Sequence, residues 1–170
     1  RADTASFSGT HAATTEFINC EGGDGSFNGS LVTKGLFRNC KAGTNSFGMN
    51  GIADAEFYYC ESSDSSFGDG SKPMTNSKFI GCRAEAGCFT AVNMESCYFE
   101  NCFAETGFDS PTITSCRFVH CGTEGRFSSA GATVTNTSYV LCSSELSLGH
   151  FSLGTNMGSV GQYVEPEPTP

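Results

Sequence analysis

The stretch FRNCKAGTNSFGMNGIADAEFYYC, residues 37–60, places Phe at every tenth position and Cys at every twentieth. The same spacing extends in both directions along the chain. Phe occupies positions 7, 17, 27, 37, 47, 57 and 67, and after a two-residue insertion near Ser71-Lys72-Pro73 it continues at Phe79, Phe89, Phe99, Phe108, Phe118 and Phe127. Tyr139 and Phe151 continue the series less regularly. A fixed internal period of this kind indicates a repeat architecture.

Cysteine divides the ten-residue spacing into a unit of about twenty residues. Every second aromatic residue is followed three positions later by Cys, which gives seven pairs: Phe17 and Cys20, Phe37 and Cys40, Phe57 and Cys60, Phe79 and Cys82, Phe99 and Cys102, Phe118 and Cys121, Tyr139 and Cys142. The other Phe of each unit forms a second series, Phe27, Phe47, Phe67, Phe89, Phe108 and Phe127. The residue two positions after Cys is always small: Gly22, Ala42, Ser62, Ala84, Ala104, Thr123 and Ser144.

These units predict an all-β fold, a parallel β-solenoid of about seven 20-residue coils, built either as a right-handed β-helix or as stacked β-arches. No segment shows the 3.6-residue apolar spacing of a helix, and helical repeats run to roughly 33–47 residues. Coils stacked about 4.8 Å apart would bury a continuous ladder of these Phe and Cys residues in a rod roughly 34 Å long. Alternating charges after Cys would relieve repulsion within the stack; they are Glu21, Lys41, Glu61 and Arg83.

Composition and charge exclude several classes of partner. The 170-residue chain carries a formal net charge of −9. Nucleic-acid backbones and anionic membrane surfaces attract clustered Lys and Arg, so the charge argues against both. No stretch approaches the roughly 18–20 apolar residues that a transmembrane helix needs, so we expect no membrane insertion. The opening residues Arg1-Ala2-Asp3-Thr4 are compatible with a mature terminus left after signal-peptide removal.

The cysteine content, 10 residues, has two interpretations. Dense Cys is typical of proteins from an oxidising compartment, whereas free Cys also serves as a small apolar core residue. Cys97 and Cys116 hold equivalent places in adjacent coils, two residues before an aromatic residue. Stacked neighbours about 4.8 Å apart fall inside the Cα window for a disulfide. This pair is therefore either a disulfide or two stacked thiols.

The F-x-N-C-x-A pattern at Phe37–Ala42 and Phe99–Ala104 resembles the coils of extracellular right-handed β-helices. It is similar to pectin-lyase-like surface proteins, including the polymorphic outer membrane proteins of chlamydiae. The ten-plus-ten coil also resembles the stacked β-arches of amyloid-like cell-sheath proteins of methanogenic archaea. The resemblance covers the chain to about residue 155 and implies an extracellular, cell-surface location. It is specific for architecture rather than function, because a β-helix hosts many roles.

Residues able to carry chemistry form no clear catalytic set. Asp24 and Asp64 share a column but lie two coils, roughly 10 Å, apart, which is too far for a shared calcium ion. A dense acidic group could supply the carboxylate pair of a glycosidase; its members are Glu85, Glu95, Glu100 and Glu105. A repeated Thr-x-Thr face is missing, because Thr112-x-Thr114 and Thr133-x-Thr135-x-Thr137 occupy single coils only. We expect no enzyme activity, no catalytic or metal-binding residue and no cofactor.

The function favoured by the sequence is structural. Residues 1–162 form the expected solenoid domain and residues 163–170 a Pro-rich extended tail or linker. The repeat runs almost from end to end without the polar caps that solenoids need for solubility. Uncapped β edges template further pairing, which predicts a self-assembling sheath, surface layer or fibre with the chain itself as partner. The alternative is an adhesin or phage receptor-binding β-helix that grips a glycan or a protein; a polysaccharide lyase or hydrolase is less favoured.

Overall fold

The computed structural model describes Thr4, Phe7, residues 15–28, 32–48, 50–68, 70–87, 89–128 and 132–144, and the backbone of residues 162–163. Phe151 and most of the Pro-rich tail lie outside these residues. The strands, numbered along the chain, are β1 (Glu16–Ile18), β2 (Val32–Thr33), β3 (Leu36–Arg38), β4 (Lys41–Ala42), β5 (Ile52–Ala53), β6 (Glu56–Tyr58), β7 (Glu61–Ser62), β8 (Met74–Thr75), β9 (Lys78–Ile80), β10 (Arg83–Ala84), β11 (Met94–Glu95), β12 (Tyr98–Glu100), β13 (Phe103–Ala104), β14 (Thr112–Thr114), β15 (Arg117–Val119), β16 (Gly122–Thr123), β17 (Thr133–Thr135), β18 (Ser138–Ser144) and β19 (Gln162–Tyr163).

Three parallel stacks of short strands run along the axis of the solenoid. Sheet 1 contains the strands centred on the first Phe of each unit, in the order β1, β3, β6, β9, β12, β15, β18. Sheet 2 contains the strands that follow Cys, β4, β7, β10, β13 and β16, and it joins sheet 1 through the long strand β18. Sheet 3 runs β2, β5, β8, β11, β14, β17. The all-β solenoid predicted by the sequence is therefore confirmed, with about six turns, close to the seven expected.

The register follows the sequence repeat from coil to coil. Phe57 pairs with Phe37 on one side and with Phe79 on the other. The second pairing spans 22 residues rather than 20, because the two-residue insertion is absorbed in the loop before β8. The backbone N–H of Val92 donates to the carbonyl of Lys72 at 3.0 Å, so the longer loop still bonds to the next coil. The insertion changes one loop and leaves the ladders in register.

Left-handed backbone conformations make the corners of each coil. The residue before each Cys has a positive φ in every described coil: Asn19, Asn39, Tyr59, Gly81, Asn101, His120 and Leu141. Gly and Asn adopt this region most readily, which explains the Asn of the F-x-N-C pattern. A Cβ on Gly81 would lie 2.5 Å from the ring of Tyr59, so Gly is also needed there for space. A second corner, before sheet 1, uses Lys34, Asp54, Asn76, Ser96, Ser115 and Asn136.

Strand β19 modifies the expectation that the repeat ends are uncapped. Gln162 pairs with Val140 and Tyr163 with Cys142, so β19 adds a parallel strand beyond β18, with a register shift between the two pairs. This strand spans the boundary at residues 162 and 163 that the sequence suggested between the solenoid and its tail. Part of the sheet 1 edge is thus covered by the chain itself.

Candidate functional site

Two columns of aromatic rings fill the interior. One contains the sheet 1 residues Phe17, Phe37, Phe57, Phe79, Phe99, Phe118 and Tyr139, and the other contains Phe7, Phe27, Phe47, Phe67, Phe89, Phe108 and Phe127. Within a column the rings stack; Phe47 lies 5.0 Å from Phe27 and 4.9 Å from Phe67, nearly parallel to both. Between columns the rings meet edge to face, as Phe47 and Phe57 do at 88°. Both arrangements match the aromatic quadrupole, so the rings add to hydrophobic burial.

A column of cysteines lines one interior corner. It contains Cys20, Cys40, Cys60, Cys82, Cys102, Cys121 and Cys142, of which all but Cys20 are buried. Each thiol donates to the carbonyl two residues earlier, as Cys102 does to Glu100 at 3.4 Å. Some also reach the coil below, as Cys102 does to the carbonyl of Phe79. The ladder Cys predicted from the sequence therefore pack as small core residues that bond to backbone.

The Cys82 thiol, near the middle of this column, is held protonated by burial. Burial raises the pKa of the Cys82 thiol well above its usual value, and hydrogen bonds with the thiols of Cys102 and Cys60 act in the same direction. A thiolate is the reactive form of Cys. The Cys82 thiol is therefore suited to packing rather than to nucleophilic attack.

Cys97 and Cys116 lie in a second buried column, at the start of sheet 1. The backbone N–H of Cys97 donates to Sγ of Cys116 at 3.5 Å, which places the two residues in adjacent coils. Both thiols are free, and the structure contains no disulfide among the nine cysteines it describes. Of the two states that the sequence left open, the structure has stacked thiols. The Cys content therefore fits the core interpretation and does not by itself indicate an oxidising compartment.

The outward side chains of sheet 1 form a flat surface, here called the tyrosine face: Glu16, Ile18, Leu36, Arg38, Glu56, Tyr58, Lys78, Ile80, Tyr98, Glu100, Arg117, Val119, Ser138 and Val140. Arg38 lies 5.2 Å and Lys78 5.4 Å from the ring centroid of Tyr58, one from the coil on each side. The hydroxyl of Tyr58 donates to Oε2 of Glu56 at 2.5 Å, and this bond raises the pKa of Tyr58. Cation–π contacts thus link Tyr58 to the neighbouring coils, and the hydrogen bond to Glu56 orients Tyr58 within its own strand.

Sheet 2 carries the alternating charges expected after Cys. Nζ of Lys41 lies 3.1 Å from Oε2 of Glu61, and Glu21 pairs with Lys41 in the backbone register. The Arg83 guanidinium lies 4.6 Å from the ring centroid of Phe103 in the next coil. Because both side chains of the Lys41–Glu61 pair are more than half exposed, the pair adds less than about 1 kcal/mol to stability. This surface is a solvated charge ladder.

Sheet 3 corrects the sequence interpretation of the threonines. Thr112 pairs with Thr133 and Thr114 with Thr135, so the two Thr-x-Thr segments are stacked in adjacent coils. The hydroxyls of Thr114 and Thr135 lie 3.2 Å apart. The sequence interpretation placed each segment in its own coil but did not align the two coils, which puts the threonines side by side. The result is a patch of four threonines at one end of the described solenoid.

The carboxylates take several different places. Oδ1 of Asp24 accepts a 2.8 Å hydrogen bond from the N–H of Thr44, and its bonds to Thr44 lower the pKa of Asp24. Asp64 accepts from the N–H of Ala86 in the same way, so both act as turn residues for the next coil. The acidic group divides between surfaces: Glu95 ends a sheet 3 strand and Glu100 a sheet 1 strand, whereas Glu85 and Glu105 follow neighbouring sheet 2 strands. In the part of the chain that the structure describes, no three His, Cys, Asp or Glu side chains could hold a metal ion.

A shallow cleft lies beside the lengthened loop. Its volume is about 390 Å³, and it is lined by Ser65, Gly70, Gly87, Thr90, Ala91, Asp109 and Pro111. The Thr90 hydroxyl donates within the wall to the carbonyls of Gly68 and Gly87, at 3.2 and 3.3 Å. Hydroxyls, one carboxylate and small residues could bind a polyol, and no sequence motif marked this place. The two-residue insertion near Ser71-Lys72-Pro73 was the sequence feature that marked this loop as different from the others.

Comparisons with protein-family models, with curated proteins and with solved structures find no match to this chain. Over the described residues, the structure contains no helix long and apolar enough to cross a membrane.

Proposed function

We propose that this chain is a structural protein of an extracellular sheath, surface layer or fibre, which assembles end to end through the β edges of its coils. The observation that supports this is the equivalence of the interior coils. Phe57, for example, stacks on Phe37 at 4.7 Å and on Phe79 at 4.8 Å. A coil presented by a second copy would supply the same contacts, because the ladders repeat with almost identical residues.

The energy of such a contact comes from the rings and the backbone at a terminal coil. Interior rings such as Phe47 are fully buried, whereas Phe7, at the end of its column, is 41% exposed. Covering the exposed part of the Phe7 ring contributes a fraction of the about 1.5–3 kcal/mol of full burial, and pairing a strand edge satisfies further N–H and C=O groups. At the opposite end, an added copy would extend sheet 3 beyond β17 and sheet 1 beyond β19. A head-to-tail contact of this type propagates instead of closing.

The cell-surface location belongs to the proposal and rests on the resemblance to surface solenoids. The acidic charge of −9 keeps rods apart laterally at most of their surface while the uncharged core directs contact to the ends. This division between a charged surface and an apolar end suits a polymer that grows along one axis.

Electron microscopy of the purified chain, with X-ray diffraction of oriented material, tests the proposal. We expect filaments with strands perpendicular to their axis and a reflection near 4.8 Å along it. Phe7→Asp places a charge at the end of a ring column and should abolish filaments. Val92→Asp, at a site 45% exposed, is the matched control and should leave them. A wild-type chain that stays a monodisperse monomer or trimer at high concentration would sink the proposal.

The cleft beside the lengthened loop favours a second candidate, an adhesin or receptor-binding rod that holds a glycan. Its hydroxyl and carboxylate groups, from Ser65, Thr90 and Asp109, are the types that bind sugar hydroxyls. A glycan array probed with the wild-type chain and with Asp109→Asn tests this candidate. Binding that Asp109→Asn abolishes and Asp24→Asn preserves would move the adhesin function to first place.

A further inference from the structure

We propose that two copies of this chain pack side by side through the tyrosine face, so that filaments associate in parallel pairs. The inference rests on the proposed axial assembly and names a second contact that this assembly would make. The occupant of the face is the same face of another copy. The argument depends on the charge, order and register of the outward residues of sheet 1.

The tyrosine face carries a different charge from the rest of the molecule. Its acidic residues are Glu16, Glu56 and Glu100, and its basic residues are Arg38, Lys78 and Arg117. The face is therefore neutral, and the whole net charge of −9 lies elsewhere on the chain. Two acidic rods repel each other least where these faces meet. Among its apolar side chains Ile18, on the end strand β1, is 52% exposed, and the others are partly exposed.

The aromatic side chains of the tyrosine face are fixed by contacts within one chain. Arg38 and Lys78 cover the two sides of Tyr58, and Glu56 accepts its hydroxyl. The Tyr98 hydroxyl donates to Oε2 of Glu100 at 3.0 Å. Side chains fixed by such contacts lose less conformational entropy when a surface is covered. Tyr and Arg are, in addition, enriched in protein interfaces.

Each strand of the face presents one apolar or aromatic residue and one charged or polar residue. The pairs are Glu16 and Ile18, Leu36 and Arg38, Glu56 and Tyr58, Lys78 and Ile80, Tyr98 and Glu100, Arg117 and Val119, and Ser138 and Val140. When two parallel rods face each other about a two-fold axis along the rod, the first outward residue of a strand lies opposite the third. With the coils level, Arg38 would face Leu36 and Lys78 would face Ile80. Level packing would therefore bury charges against apolar groups, which is unfavourable.

Sliding one rod by a single coil, about 4.8 Å, changes this arrangement. Opposite charges then meet at four places: Glu16 with Arg38, Glu56 with Arg38, Lys78 with Glu100, and Arg117 with Glu100. Apolar residues meet at four more: Ile18 with Leu36, Leu36 with Tyr58, Ile80 with Tyr98, and Tyr98 with Val119. A charge meets an aliphatic side chain at two places, Glu56 with Ile80 and, in the last coil, Arg117 with Val140. The one-coil offset is thus the register that the face selects.

The size of the face explains why this contact requires filaments. Seven strands about 4.8 Å apart and three residues wide give a footprint of roughly 300 Å². A stable interface buries about 800 Å² on each partner. One pair of chains is therefore too small to hold together, whereas a filament repeats the face many times and gains avidity. Lateral pairing should appear only after axial growth.

Electron microscopy of filaments grown from the full chain tests the inference, with filament width as the readout. Arg38→Glu places like charges opposite Glu16 and Glu56 and should convert paired filaments into single ones. Lys72→Glu makes the same charge change on an exposed loop residue and should leave pairing intact. Arg38→Glu combined with Glu16→Arg and Glu56→Arg restores opposite charges and should restore the pairs. Salt at about 1 M, which shortens the screening length to about 3 Å, should weaken pairing in the wild type.

The outcomes separate this inference from the proposed function. Wild-type filaments that are single, or Arg38→Glu filaments that remain paired, overturn lateral packing while axial assembly stands. Absence of any filament overturns both. Circular dichroism of Arg38→Glu should match the wild type, because Arg38 is exposed and its loss leaves the core unchanged.

Discussion

The backbone N–H of Cys97 donates a hydrogen bond to Sγ of Cys116 in the next coil, at 3.5 Å. The same bond recurs along the column with oxygen as acceptor. The N–H of Ala55 donates to Oγ of Ser77 at 3.2 Å, and the N–H of Cys116 donates to Oγ1 of Thr137 at 3.3 Å. Cys116 therefore occupies the position that Ser or Thr occupies in other coils. Its Sγ accepts the hydrogen bond of a buried backbone N–H.

Replacing Cys116 should separate this role from simple packing. Cys116→Ser keeps an acceptor for the N–H of Cys97, and we expect the free energy of unfolding to change by less than about 1 kcal/mol. Cys116→Ala leaves that buried N–H unsatisfied and should cost about 1–3 kcal/mol, to which the lost packing adds. Urea denaturation of both variants measures the difference. Equal losses for Ser and Ala would show that the hydrogen bond contributes nothing.

The ring columns predict a strong dependence of stability on position. Phe47 is fully buried between two stacked rings, so Phe47→Ala should destabilise the fold by about 3–5 kcal/mol. Phe7→Ala, at a ring 41% exposed, should cost much less. Denaturant melts of the two variants give the comparison. A loss below about 1 kcal/mol for Phe47→Ala would contradict the role of the interior column.

The corner before Cys offers a test of backbone strain. Leu141 adopts a φ of +50° and is 46% exposed, whereas Asn101 fills the equivalent corner at +52°. The left-handed region costs a residue such as Leu roughly 1–2 kcal/mol, and Asn less. Leu141→Asn should therefore raise the melting temperature by about 2–4 °C, and Asn101→Leu should lower it by a similar amount. Calorimetry measures both, and shifts of the same sign would refute the strain argument.

Much of the fold could be predicted because the solenoid repeats the same contact. The ten-residue spacing of Phe fixes which side chains point inward and how coils align, and Phe47 lies between Phe27 and Phe67 as the spacing predicts. Stacking like residues over like then determines the core without any knowledge of the loops. The insertion could also be assigned to one loop, since the register resumes at Phe79.

The remaining features depend on contacts between different columns. Cys97 and Cys116 could be predicted as neighbours, but whether they form a disulfide depends on the backbone donors around them. Ser77 and Thr137 occupy the equivalent positions in other coils, and these residue types indicate a hydrogen-bond acceptor there rather than a disulfide. The neutral charge of the tyrosine face follows from the residues that flank the first Phe of each unit, whereas its side-chain contacts do not. Its cation–π contacts join residues twenty positions apart that no local motif connects.

The buried thiols predict how stability depends on pH. Burial raises the pKa of Cys82 in the folded state, while an unfolded Cys ionises near 8.5. Above that pH the unfolded chain has released a proton that the folded chain still holds, so stability is full below about pH 8.5 and falls as pH rises toward the folded pKa. The Cys82 thiol contributes a slope of about 1.4 kcal/mol per pH unit in this range. Urea melts between about pH 8.5 and 10 should show a shallower decline for Cys82→Ser than for the wild type.

Ser110→Ala, at a fully buried residue that does not titrate, lowers stability without changing the slope and serves as the control. Parallel declines for Cys82→Ser and the wild type would mean that Cys82 ionises in the folded state as easily as in the unfolded chain.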